Sequence, residues 1–222
     1  MATKFPLVLA VETTSSTGSL CIAEINGASA TILATERWQK KSTHSEVITN
    51  QLLSALRYAE IELSDLTHLA IDVGPGSFTG IRVGLNLIRT LAYSLDLPTK
   101  TVTSLELFAF QALSPGDSAV IAIPAIQGYF YAACFARRKD GVETLAPAES
   151  LDKAGIENMM AKTKVEKLVF PNEEPKAESL IQLLMSDFKK TSFLQWKDVL
   201  PLYIRASEAE EKLRKGLLKP IT

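Results

Sequence analysis

A chain of 222 residues fits one large or two small domains, and a 46% share of apolar residues supplies a proper core, which excludes a disordered protein. With 24 Lys and Arg against 25 Asp and Glu, the formal net charge is -1, which excludes the broad basic footprint of an independent nucleic-acid binder. Any RNA contact must then come mostly from another chain.

Taken in order, residues 1–6 lead into Leu7-Val8-Leu9-Ala10-Val11, a continuous apolar run that predicts a strand buried on both faces. The run is too short for a signal sequence or a membrane span, so the chain reads as soluble and cytoplasmic, with no membrane contact. Behind it, Glu12-Thr13-Thr14-Ser15-Ser16-Thr17-Gly18 is a loop made almost wholly of hydroxyls. Ser19–Ile25 and Ala30–Glu36 predict two strands around Asn26-Gly27, a strong hairpin signal. Cys21 and Cys134 sit in apolar runs without a CxxC partner and read as buried free thiols.

Thr43 and Glu46 stand at capping-box spacing and predict a helix to about Glu60, with Ile48, Leu52, Ala55, Leu56 and Ala59 on one face. His44 reads as a solvated first-turn residue, because no second histidine lies one turn away to make a metal pair.

Leu69–Val73 predicts a buried strand that runs into Gly74-Pro75-Gly76-Ser77-Phe78-Thr79-Gly80-Ile81-Arg82-Val83-Gly84 and then a helix over 79–96. Two readings of this turn stand. In one, unpaired amides at Gly74, Gly76 and Ser77, with Glu12, Thr13, Thr14 and Ser15 nearby, cradle an anion or a nucleotide at a helix N-terminus. In the other, the glycines serve geometry alone. It is not a Walker loop, since Thr79-Gly80-Ile81 stands where that motif needs lysine. The helix carries two apolar stripes, one through Ile81, Leu85, Ile88, Ala92 and Leu95, the other through Gly84, Leu87 and Leu91. The second stripe calls for cover from elsewhere in the chain or from a partner. Gly80 and Gly84 form a notch for an approaching backbone, and an arginine at position 84 is expected to block a partner while the chain stays folded.

Lys100–Thr103 predicts a short strand, and Thr103 with Glu106 a second capping box opening a helix to about Leu113. The order β-β-β-α-β-α-β is the half-domain pattern of a ribonuclease-H-like fold. Ser114-Pro115-Gly116-Asp117 marks a boundary, giving lobes of 1–113 and 114–205 and a charged tail of 206–222. Beyond it come strands at Ala119–Ile123 and Tyr129–Phe135, a helix at Leu151–Ala161, a strand at Lys167–Phe170 and a helix at Glu178–Phe188, a weaker copy of the first half. Ser207–Lys215 predicts a charged helix before Gly216.

With these motifs in place the chain resembles, over its whole length, the TsaB (YeaZ) family of bacterial subunits in threonylcarbamoyl modification of tRNA adenosine 37. The most specific match is Gly74–Gly84; Leu9–Thr14, His44-Ser45-Glu46, Val102–Glu106 and Pro201-Leu202-Tyr203-Ile204-Arg205 support it. Pro124-Ala125-Ile126-Gln127 departs from a common Asp-Ala-Arg segment, and Glu12 replaces a commoner aspartate. The resemblance implies an α/β, two-lobed fold of the acetate kinase, sugar kinase, Hsp70 and actin class (ASKHA). It also implies a non-catalytic role, pairing with a TsaD-type catalytic subunit through first-lobe helices, a TsaE-type ATPase as further partner, a homodimer through the same surface, and tRNA contact only through the complex. On this reading His44, Val47, Gln51, Gly80, Arg82, Gly84, Leu87 and Leu91 form the partner interface, no cofactor is required, and ATP or ADP binding is weak. The residues test the idea separately. No second glycine-rich loop lies in 116–141 for a phosphotransferase, and His44 and His68 cannot form the paired-histidine metal site of the catalytic relative. The alternative kept beside it is a small ATP-dependent kinase or ATPase of the same fold.

Overall fold

Every residue of β1 (Leu7–Glu12) is buried, and alternate side chains enter two different cores, as a strand covered on both faces requires. Leu7, Leu9 and Val11 join one core; Val8 and Ala10 join another. In this computed structural model, residues 5–27, 29–39, 44–185, 188 and 191–204 are described. The Thr43 half of the first capping box, Arg205 and the helix expected at 207–215 lie outside the described residues.

β1, β2 (Thr17–Asn26), β3 (Ser29–Gln39), β4 (His68–Asp72) and β5 (Thr99–Val102) form one sheet in the order β3-β2-β1-β4-β5. The β1–β2 and β2–β3 pairs are antiparallel, whereas β1–β4 and β4–β5 are parallel, joined by crossovers that carry α1 (His44–Tyr58) and α2 (Phe78–Leu95). Both helices cover the face bearing Leu9, Leu69 and Ile71. Of the second apolar stripe of α2, Gly84 and Leu91 are buried within the chain and Leu87 is half-buried. Leu91 belongs to that same core, and Leu194, Val199 and Leu202 close over it.

A second sheet has the order β8-β7-β6-β9, built from β6 (Ser118–Pro124), β7 (Phe130–Arg138), β8 (Gly141–Leu151) and β9 (Leu168–Val169). Its antiparallel β6–β7 and β7–β8 pairs and parallel β6–β9 pair repeat the first sheet's plan. The expected copy of the first half is therefore there, and β8, absent from the sequence reading, completes it. α3 (Ser104–Ala112) lies between the sheets. Its Leu107 enters the first-sheet core, and Leu105, Phe108 and Ala109 pack on Ile121 and Phe135 of the second. The Thr103–Glu106 capping box that starts it has both reciprocal bonds. α4 (Lys153–Thr163) covers the far face of the second sheet.

One assignment shifts. α5 (Ala177–Met185) was expected with the 114–205 lobe, yet Ala177, Leu180, Ile181 and Leu184 pack on Val8, Ala10 and Ala70 of the first sheet. Segment 191–204 also returns there, with Leu194 bridging the edge strand at Thr99. No helix among the described residues is long and apolar enough to cross a membrane.

Candidate functional site

Parallel pairing of Val11 with Ile71 carries Glu12 and Asp72 to the carboxyl ends of adjacent strands, where open α/β sheets place their ligand crevices. Both carboxyls are fully buried. Thr14 stands between them, its hydroxyl oxygen 2.7 Å from Glu12 Oε1 and 3.1 Å from Asp72 Oδ2. The Thr14 amide donates to Glu12 Oε1 at 2.5 Å, and the Gly74 amide donates to Asp72 Oδ1 at 2.8 Å. Ser104, the first residue of α3, adds its hydroxyl to Asp72 Oδ1 at 2.9 Å. Glu12 Oε2 is buried with no hydrogen-bond partner. Burial, and then the nearby Asp72 charge, push the Glu12 pKa well above the ordinary carboxylate range. Burial also raises Asp72 to about 7, against bonds from Gly74, Ser104 and Thr14 that pull the other way.

The turn that follows is fastened to this floor from within. Besides the Gly74 amide, the Ser77 amide is taken up, donating to Thr14 O at 2.6 Å. Ser77 in turn caps α2 by accepting from the Gly80 amide at 3.2 Å. The expected outward-facing amides at Gly74 and Ser77 are thus spent inside the chain, and a Cβ on Gly76 would overlap Thr14 O. The notch at Gly80 and Gly84 is occupied too. Thr13, fully buried, fills it, its Oγ1 donating to Gly80 O at 2.8 Å. An added Cβ at Gly80 would overlap Thr13 O, and at Gly84 Thr13 Oγ1. Neither glycine is open to a partner, and an arginine at 84 would strike the core of its own chain rather than only a docking surface.

His44 is likewise buried, against the expectation of a solvated or partner-facing residue. The Trp38 indole donates to its Nδ1 at 2.9 Å, and its Nε2 lies 3.1 Å from Ser15 O. A Trp N–H only donates and a carbonyl only accepts, so the ring is the neutral Nε2–H tautomer. Ser15 Oγ donates to Thr17 O. Among the other interface candidates, Val47, Gln51 and Leu87 are half-buried and Leu91 is buried. Arg82 is exposed, its guanidinium 4.0 Å over the Phe78 ring and its Nε donating to the Tyr203 hydroxyl at 3.3 Å. The most exposed aromatics on α1 and α2 are Tyr58 at 79% and Tyr93 at 68%. The sequence reading named neither, although their places opposite the apolar stripes were visible.

Between the lobes, a cavity of about 200 Å³ is lined by Thr14, Ser15, Gly76, Ser104, Glu173 and Glu174 among others. Glu174 crosses to the first lobe, accepting from the Ser16 hydroxyl at 2.8 Å. That volume falls below the ~300 Å³ at which pockets for drug-sized ligands begin. Glu173 and Glu174 stand at its rim, and the Glu12 and Asp72 carboxyls lie beneath its floor. Among the described residues no three His, Cys, Asp or Glu side chains gather at metal-binding spacing. Both cysteines are buried free thiols, and burial pushes Cys21 up to about 12.

Comparison with known proteins places this geometry. A model of the family described as TsaD, tRNA N6-adenosine threonylcarbamoyltransferase, matches residues 32–211. A Bacillus subtilis protein named tRNA threonylcarbamoyladenosine biosynthesis protein TsaB is 33% identical over 102 residues, 46% of this chain and 43% of that protein. Its namesake in Buchnera aphidicola subsp. Schizaphis graminum is 29% identical over 164 residues, 72% of this chain and 78% of that protein. The matched region thus spans under half of the Bacillus subtilis relative and over three quarters of the Buchnera one. The solved structure of YeaZ from Pseudomonas aeruginosa superposes with a TM-score of 0.74 at 19% identity, covering 90% of this chain and 100% of that one. This likeness shows the fold, the two-lobed α/β ribonuclease-H-like class expected from the element order. The family model covers more than half of the residues, and with the TsaB relatives beside it the chain belongs to the TsaD family so described and, within it, to the TsaB proteins.

Proposed function

We propose that the chain is a non-catalytic subunit required for threonylcarbamoyl modification of adenosine 37 in tRNA, acting by binding and stabilising a TsaD-type catalytic subunit. The observation that carries this is the relatives' shared name, a biosynthesis protein for tRNA threonylcarbamoyladenosine, together with membership of that family. α1 and α2 of the first lobe supply the docking surface. Tyr58 and Tyr93 offer exposed aromatic anchors there, the residue class that dominates interface energetics. A TsaE-type ATPase joins the pair, tRNA is met only by the assembly, and a homodimer through the same helices competes with it. No cofactor is required of this chain.

The competing reading, an ATP-dependent kinase or ATPase, needs a cleft that welcomes phosphates. Against it stand the buried Glu12–Asp72 floor and the amides of Gly74 and Ser77 already bonded within the chain. Co-purification of the tagged chain with the TsaD-type subunit of its own cell tests the proposal, and Mg-ATP turnover by the isolated chain tests its rival. Recovery of the pair without turnover is the expected result. Robust phosphate release by the lone chain would overturn the scaffold reading.

A further inference from the structure

Beneath the cleft, close oxygens outnumber the hydroxyl protons that could separate them. Thr14 Oγ1 contacts Glu12 Oε1 at 2.7 Å, Asp72 Oδ2 at 3.1 Å and Ser104 Oγ at 3.1 Å, and Ser104 Oγ contacts Asp72 Oδ1 at 2.9 Å. Each hydroxyl brings one proton, and an ionised carboxylate brings none. Let Ser104 donate to Asp72 and Thr14 to Glu12. Thr14 Oγ1 and Asp72 Oδ2 then face each other lone pair to lone pair. If Thr14 turns its proton to Asp72 instead, the same conflict moves to Glu12 Oε1 at the shorter distance. One further proton removes it in both arrangements, and the Thr14–Ser104 contact at 3.1 Å that still lacks a proton is between two neutral hydroxyl oxygens rather than against a charged carboxylate. Asp72 Oδ2–H can donate to Thr14, which donates to Glu12; or Glu12 Oε1–H can donate to Thr14, which donates to Asp72.

We propose that Glu12 and Asp72 hold one proton in common at neutral pH, relayed between them by the Thr14 hydroxyl, and that this proton locks the entries of α2 and α3 onto the cleft floor. The two forms differ only by a concerted shift of two protons along one chain of three oxygens, so charge and atoms balance without any outside group. Complete burial of both carboxyls favours the singly charged pair over the doubly charged one. The further charges that bear on the pair are negative as well, Glu174 of the inter-lobe segment on Glu12 and Glu106 of α3 on Asp72. Like-charge neighbours raise the cost of a second ionisation. The pair therefore titrates as a unit.

Several backbone links hang from it. Thr14 O accepts from the Ser77 amide that begins α2, and Asp72 holds the Gly74 amide. Gly74 O in turn accepts from the amide of Ser104, which begins α3. Thr14 and Ser104 also line the cavity, so the relay lies one hydroxyl away from anything that enters it. Loss of the proton leaves two charges pushing apart the strand ends from which α2 departs. Its effect on partner docking rests on the reading of α2 as a docking helix; the proton itself does not.

Infrared difference spectroscopy of the whole chain tests this through the C=O stretch of a buried protonated carboxyl. The expected result is one such band at neutral pH that vanishes in Asp72→Asn, whose amide can donate to Thr14 Oγ1 in place of the proton. Absence of the band in the wild type, or its persistence unchanged in Asp72→Asn, would overturn the proposal. A second readout is the protection factor of the Gly80 and Ile81 amides, which removes the intrinsic base catalysis of exchange and is expected to fall on alkaline titration of the wild type and not of Asp72→Asn. An equal fall in both would also overturn it. Partner recovery across the same titration separates the two ideas: a pH-independent yield alongside an intact band would sink the docking role of α2 and leave the shared proton standing.

Discussion

Thr13 Oγ1 donates to Gly80 O across 2.8 Å, and in doing so plugs the small-residue groove of α2 with the loop that ends β1. Gly84→Ala forces a Cβ onto Thr13 Oγ1 and should cost about 1–3 kcal/mol by overpacking. Gly84→Arg should fail to fold. Urea denaturation reads both, and a Gly84→Arg chain with a wild-type midpoint would contradict the packing described. Thr13→Val keeps the shape but removes the hydroxyl bond to the Gly80 carbonyl, at about 0.5–1.5 kcal/mol.

Trp38 and His44 form the next joint. Trp38→Phe removes the only kind of partner that a neutral Nε2–H imidazole can accept at Nδ1, a donor, and thins the packing over Gly18. The expected loss is about 1–3 kcal/mol. A nitrogen-15 spectrum of the ring should show the Nε2–H tautomer in the wild type. The Nδ1–H form there would refute the assignment.

The acid pair sets a pH dependence of stability with a definite sign. A carboxyl whose pKa rises on folding contributes stability that is full below its unfolded value and is lost as pH climbs through the folded one. For Asp72 that window runs from the ordinary 3.8 to about 7, and Glu12 moves in the same direction. Asp72→Asn should therefore gain on the wild type by up to about 1.4 kcal/mol per pH unit across the window and then level off. Denaturation midpoints of both proteins at stepped pH measure the difference, which removes the titrating groups outside the Glu12–Asp72 pair. A constant gap would show that Asp72 ionises normally.

Tyr58→Glu and Tyr93→Glu should weaken pairing with the TsaD-type subunit by at least tenfold while leaving thermal stability near wild type, since both rings are largely exposed. Tyr93 touches Trp196 edge-on at 5.2 Å, so a small stability loss is expected there and none at Tyr58. Undiminished recovery of the partner with both variants would move the docking surface elsewhere.

Much of the fold was legible because local signals agreed. The alternation hidden inside an all-apolar β1, the Asn26-Gly27 hairpin, the Thr103–Glu106 box and the glycine turn before α2 each specify their element without distant help. β8 escaped because only Gly141 of its residues is buried and Pro147 interrupts it, which an edge strand tolerates and a periodicity search does not. The amphipathic stripe of α5 announced a helix but could not say which sheet it covers. The site was legible only in part. Glu12 stood out in its hydroxyl loop, whereas Asp72 passed as a polar interruption of a buried run, and Ser104 as the residue after a cap. The signal for Asp72 was there, an acid at the carboxyl end of a strand parallel to β1, but the pairing that sets it beside Glu12 is a long-range contact. The same is true of Thr13: nothing local says that a β1 loop will fill a groove in α2, so the groove read as vacant.

The central claim is that this chain serves a catalytic partner in tRNA modification. Its most direct test is modification of unmodified tRNA in an extract of its own cell depleted of both proteins, measuring the threonylcarbamoyl nucleoside at position 37 with the TsaD-type subunit added alone, this chain alone, and both together. The account predicts product only when both are present. Equal product from the TsaD-type subunit without this chain, or product from this chain by itself, would contradict it.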